Sequence, residues 1–472
     1  MKCTRTSSSN VETFERSLTY LSGFNNTFES EAVPNMLPLH RNNPKKCPGN
    51  LYAEQLSGTA FTAPRSINQR TWMYRTLPSA SGTSAQFMDT EKQFGHCDWE
   101  KDLKLNPNPL RWFPRVEEDS TESVNFIDGT RTMAGSGSPI QKEGLAIHTY
   151  TFNSNMTRLG GDERQSSAIQ NSDGDFLIVP QMCSLIIRTE LGLMTVSPSE
   201  VCVIPRGIVF SVDLTLAEDD VVTKGDNINV ARGYILEVFN GHFTLPERGP
   251  IGSNGLANER DFLVPTAHLD VGGRNESYLI MNKFGNSIFS RVSNHSPYNV
   301  VAFHGNYVPF KYNLEYFCAM NSVTYDHPDP SIYTVLTVPS EEKGTALADF
   351  VIFPPRIMST DENTLRPPWY HKNCMSEFMG LIIGEYDAKG GDEFVPGGSS
   401  LHNCMTPHGP DTVSYQKAVE MDCSSPQKFD KGLAFMFETK CTLKVSEYAL
   451  KCKERDIDYP KCWDGLIDNF HI

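Results

Sequence analysis

From about residue 145 onward the chain consists of short runs of β-branched and aromatic residues, and that texture limits it to a fold of many strands. IHTYTF (147–152), DFLIVP (175–180), SLIIRT (184–189), VCVIP (201–205), GIVFSVDL (207–214) and GYILEVF (233–239) are each bounded by Gly, Pro, Asn or Asp. Such spacing of runs and turns predicts an antiparallel sandwich or barrel. Pro180, Pro205 and Pro246 fall at run ends, where a missing N–H costs no ladder bond. A second strand-rich section contains NVVAFHG (299–305), SIYTVLTV (331–338), FVIFP (350–354) and GLIIGEY (380–386). We place a division between the two halves of the chain near residue 310. The stretch 240–268 reads as a long ordered loop, and SEYALKCKERDI (446–457) is the best late helix candidate.

Composition narrows the function classes. The 472 residues exceed the usual size of one domain, so two are expected. The net charge is −15 and no Lys/Arg-rich run occurs, which leaves no electrostatic case for nucleic acid and reads as solubility. The N-terminal segment lacks the apolar core of a secretory signal, and no run approaches the length of a membrane span. Twelve cysteines without a CxxC pair read as reduced thiols, and a cytoplasmic location is expected.

Five of the twelve histidines, His304, His327, His371, His402 and His408, fall between 304 and 408. In a β protein this is a metal or catalytic candidate, set against histidines that cap turns or fill a core. His371 and Glu377 stand six residues apart. A straight strand would hold them about 20 Å apart, and a helix about 9 Å apart on opposing faces. One ion can be shared only if the backbone turns between them, for instance through Lys372–Cys374. Further on, Gly397, Gly398 and Gly409 permit close backbone approach around His402 and His408, and Pro407 stiffens the chain. Two imidazoles and one carboxylate suit the facial triad of a non-haem iron(II) oxygenase, and equally a catalytic zinc. Cys374 and Cys404 read as small buried thiols beside the site rather than ligands. His327, in the turn DHPDP (326–330), is either a turn residue or an acid/base group.

At these residues the chain resembles the homogentisate 1,2-dioxygenase family. The resemblance rests on long motifs in one order: LYAEQLSGTAFTAPRSINQR (51–70), ARGYILEVFNGHFTLPERGPIGSNGLANERDFLVPTAH (231–268), DHPDPSIYTVLT (326–337), RPPWYHKNCMSEFMGLI (366–382) and GGSSLHNCMTPHGPD (397–411). It implies a mainly β, cupin-like fold, with a large N-terminal β-sandwich domain (1–310) and a C-terminal jelly-roll domain (311–472) carrying the metal. It further implies iron(II) held by His371, Glu377 and His408, and His327 as the base for a substrate hydroxyl. Tyr386 would contact substrate, as would His408, and His402 would lie beside the substrate or behind the ligands. The implied reaction is O₂-dependent cleavage of homogentisate to 4-maleylacetoacetate in tyrosine and phenylalanine breakdown, by a homohexamer built as a dimer of trimers. The alternatives are a related dioxygenase for another hydroquinone such as gentisate, or a metal-free binding barrel. Phe303, Pro328 and Trp369 depart from the family pattern and bear on substrate fit.

Overall fold

A computed structural model describes residues 17–39, 45–81, 86–116, 122–157, 165–215, 230–270, 277–320, 333–359, 369–386 and 394–471. The mainly β expectation is met. The described strands form sheets of ten, seven, six, four and two strands, and all but one of their pairings are antiparallel; the strand Ser166–Asn171 runs parallel to Tyr278–Phe284.

The ten-stranded sheet is buried on both faces, which explains why its strands read as continuous apolar runs. Along Asp175–Met182, Leu177 and Val179 point into one core while Phe176 and Ile178 point into another. Its neighbour Ala231–Val238 repeats the division, with Tyr234 and Leu236 on one side and Ile235 on the other. This is the period-2 rule applied to a middle layer. Ile187, Phe210 and Val212 of the seven-stranded sheet close the second core. The six-stranded sheet closes the first.

That six-stranded sheet runs in the order Thr334–Pro339, Ala346–Phe353, Gly432–Thr439, Ser376–Gly384, Ser399–His402, Leu110–Trp112. Its face toward the ten-stranded sheet carries an aromatic row: Phe378 stacks between Trp112 and Phe437, with ring centroids 6.2 Å away in each case. Tyr234 crosses from the other sheet, its ring 4.8 Å from Phe435 and its hydroxyl donating to the Gly398 carbonyl at 2.8 Å. The chain on either side of residue 310 exchanges strands. Leu110–Trp112 joins the six-stranded sheet, and Lys444–Ser446 pairs between Leu103–Leu105 and Thr130–Ser138 of the ten-stranded one.

Two local expectations are corrected, and one helix is added to them. Pro180 lies inside the strand Asp175–Met182, tolerated because the register shifts between Pro180 and Met182. The late helix spans Glu447–Lys451 alone, capped by the Ser446 side chain accepting from the Ala449 N–H. A longer helix, Thr412–Glu420, was not foreseen from the pattern; Asp411 caps it by accepting from Ser414 N–H at 2.6 Å. No helix among the described residues is long and apolar enough to cross a membrane.

Gly380 sets the sheet spacing, since an added Cβ would lie 2.4 Å from the Phe435 ring and 3.0 Å from that of Tyr234. We therefore expect Gly380→Ala to cost about 1–3 kcal/mol through overpacking, read as a lower urea midpoint.

Candidate metal centre

The strand Ser376–Gly384 positions the site by its pleat. Glu377 lies opposite Glu438 on one neighbour and His402 on the other. Because alternate residues face opposite ways, this polar row turns away from the core when Phe378, Phe437 and Leu401 turn into it. Glu377 is only 5% exposed, so its charge needs compensation in place.

His371 and His408 come to Glu377 from irregular segments that pair with each other. The two histidines form an isolated antiparallel bridge, His371 N–H to His408 O at 2.9 Å and His408 N–H to His371 O at 3.0 Å. After His371 the chain bends at Cys374–Met375 and enters the strand. This is the turn that the six-residue spacing demands, placed at the end of the expected segment. Before His408 a turn over Asn403–Thr406 (Thr406 N–H to Asn403 O, 2.9 Å) places Met405 at φ 61°. That left-handed backbone is held by Met405 N–H donating to Asn373 O at 2.7 Å. Gly409 is required here, because a Cβ would fall 2.9 Å from Tyr370 Cα.

The donor atoms converge. His408 Nε2 is 3.0 Å from one carboxylate oxygen of Glu377, and His371 Nε2 is 3.5 Å from the other. The ligand atoms of all three lie within 4.8 Å of one another. Donors about 2.1 Å from a common ion stand about 3.0–3.4 Å apart at the angles such ions adopt, close to the two spacings from Glu377, so this group could hold one divalent metal. The tautomers fit as well. His371 Nδ1 donates to the Trp369 carbonyl (3.2 Å) and His408 Nδ1 to the Thr406 carbonyl (2.9 Å). A carbonyl only accepts, so in each neutral ring the lone pair belongs to Nε2, on the side facing Glu377.

Burial would push the Glu377 carboxyl up, yet its contacts with His371 and His408 and the Asn373 amide hold it well below the usual carboxylate range. Its contact with Glu377 raises His371 above its ordinary value, outweighing burial. The Asn373 amide bridges two carboxylates, donating to Glu377 at 2.9 Å and to Glu438 at 2.7 Å. Asn403 ties the turn to distant chain: its side-chain oxygen accepts from Ser376 Oγ and Leu443 N–H, and its amide donates to the carbonyls of Asn106 and Leu443.

His402 is fully buried behind His408, the two rings parallel (5°) with centroids 4.1 Å apart. Tyr386 is half-buried between the rings of Phe353 and Phe394. His327 and Pro328 lie outside the described residues. His304 is elsewhere, 3.2 Å from the Tyr74 hydroxyl in the four-stranded sheet. Phe303, on the same strand, fills the second core, whereas Trp369 is exposed beside His371. Cys374 is exposed rather than buried, and Cys404 sits 3.1 Å from the Thr442 hydroxyl; neither joins the ligand cluster. Sequence reasoning missed Asn373, Glu438 and Asn403. Asn373 stood inside a motif already singled out, but its partner Glu438 belongs to another strand that no local pattern connects to it.

Two family models match in tandem, described as homogentisate 1,2-dioxygenase N-terminal over residues 19–314 and C-terminal over 315–470. Similar proteins named homogentisate 1,2-dioxygenase occur in Dictyostelium discoideum (50% identical, 96% of this chain and 98% of that one), Homo sapiens (48%; 96% and 97%) and Pseudomonas syringae pv. tomato (46%; 96% and 97%).

We expect Asn373→Ala to weaken metal binding about 10–100-fold, as loss of a ligand's supporting hydrogen bond does, measured by competition with a chelator. A proton on His371 would compete with a metal held there. Since its pKa is raised from the ordinary 6.5, affinity should begin to fall above that pH on acidification, and an affinity flat from pH 8 to 6 would contradict this.

Proposed function

This chain belongs to the homogentisate 1,2-dioxygenase family, and from that premise we propose that it opens the homogentisate ring with O₂ to give 4-maleylacetoacetate. The reaction would take place at a non-haem iron(II) held by His371, Glu377 and His408. The convergence of two imidazole Nε2 atoms and one carboxylate within 4.8 Å supports this reading most strongly. A metal held by two imidazoles and one carboxylate would retain the capacity to bind reactants as well. When bound, iron(II) supplies a common template for substrate and dioxygen and a path for electron density from ring to O₂.

The chain's own residues do the remaining work. Glu377 stays ionised, so the pocket presents a fixed negative charge to a cation. The carbonyls of Trp369 and Thr406 keep both Nε2 atoms aimed inward. His327 takes the proton from a substrate ring hydroxyl, because a phenolate gives up electron density more readily than a phenol. Tyr386 contacts the substrate, and His402 backs the ligand His408. Both oxygen atoms of O₂ remain in the product, so no separate reductant is consumed. The same reading makes the protein a cytoplasmic homohexamer, a dimer of trimers. Its two units would divide near residue 310, the later one carrying the metal.

Oxygen uptake by protein reconstituted anaerobically with iron(II) tests the proposal. We expect one O₂ per homogentisate and the absorbance of the ring-opened product, with little uptake on gentisate, which lacks the side-chain methylene. Preference for gentisate would reassign the substrate. Glu377→Ala should lose tight iron binding and turnover together, and a variant that kept both would sink the ligand assignment.

A further inference from the structure

We infer that Tyr459, in the C-terminal turn Tyr459–Trp463, is a positioning residue for the metal centre, holding the His402 ring parallel to that of His408 through a hydrogen bond of 2.7 Å. The inference rests on the proposed role of His408 as a ligand. Its basis is a stack of buried groups in mutual contact. His402 Nε2 and the Tyr459 hydroxyl are in contact, both residues are buried, and the His402 ring covers the face of His408 at 4.1 Å. Tyr459 is itself clamped. The Arg111 guanidinium lies 4.5 Å over its ring, held by the buried ion pair to Asp456, and the Trp463 ring stands 5.3 Å away.

Trp463 in turn donates its indole N–H to the Pro410 carbonyl at 3.1 Å, two residues beyond His408. The C-terminal segment thus grips the ligand loop twice, once through its backbone and once through a ring plane. Burial pushes the Tyr459 hydroxyl well above its ordinary value, the nearby Arg111 only partly offsetting this, so it stays protonated and keeps the contact with His402.

Tyr459→Phe removes the hydroxyl and keeps the ring. Titration of wild-type and variant protein with cobalt(II), read by its visible absorption bands, should show about tenfold weaker binding and altered band intensities, with the thermal midpoint of the metal-free variant reporting its folding. In a His402→Phe background, or His402→Leu if that does not fold, adding Tyr459→Phe should cost nothing more. Wild-type affinity and spectrum in Tyr459→Phe would overturn the inference, as would an equal further loss without His402. Wild-type protein that bound no cobalt would overturn the metal-centre reading itself, and this inference with it.

Discussion

The site depends on the pleat of one central strand, Ser376–Gly384. Its two faces have opposite duties, and a shift of one residue would exchange them. Phe378 must enter the aromatic row between Trp112 and Phe437. Once it does, Glu377 is committed to the other face, opposite Glu438 and His402. The apolar contacts that hold the sheet against its neighbour therefore also set the register of the Glu377 carboxylate, the acidic member of the candidate metal site.

A buried carboxylate beside another acidic residue is costly, by several kcal/mol if left uncompensated. Here every partner is supplied by a segment other than the strand itself. The imidazoles arrive on a two-hydrogen-bond bridge between His371 and His408, and the Asn373 amide separates Glu377 from Glu438. Asn403 and Thr406 then anchor the turn before His408 to Asn106 and Pro107, far away in the chain. An ion placed among the donors would complete an arrangement whose cost the fold has largely met, which is how such sites attain preorganisation.

The strand exchange around residue 310 gives the same lesson at larger scale. Leu110–Trp112 lies at the edge of the sheet that carries Glu377, next to Ser399–His402, and Trp112 donates its indole N–H to the Ala449 carbonyl at 2.7 Å. Composition placed a division near 310 because the strand texture resumes there. It carried no sign of the crossing strands, since three-residue segments such as LRW and KVS have no periodicity to read.

The string of residues alone was enough to indicate the class of fold, the approximate position of the strands and, through the family resemblance, His371, Glu377 and His408 as candidate ligands. Period-2 patterning, turn chemistry and long motifs are local, and local signals survive in a string of letters. It also required a backbone turn between His371 and Glu377, because no regular element brings such a pair together. It took the packed sheets to bring Asn373 between Glu377 and Glu438, to stack His402 on His408, and to carry Tyr459 to them from the C-terminal turn. Those contacts join residues whose proximity comes from sheet packing and strand register. No single segment encodes that packing, so no single segment could reveal it.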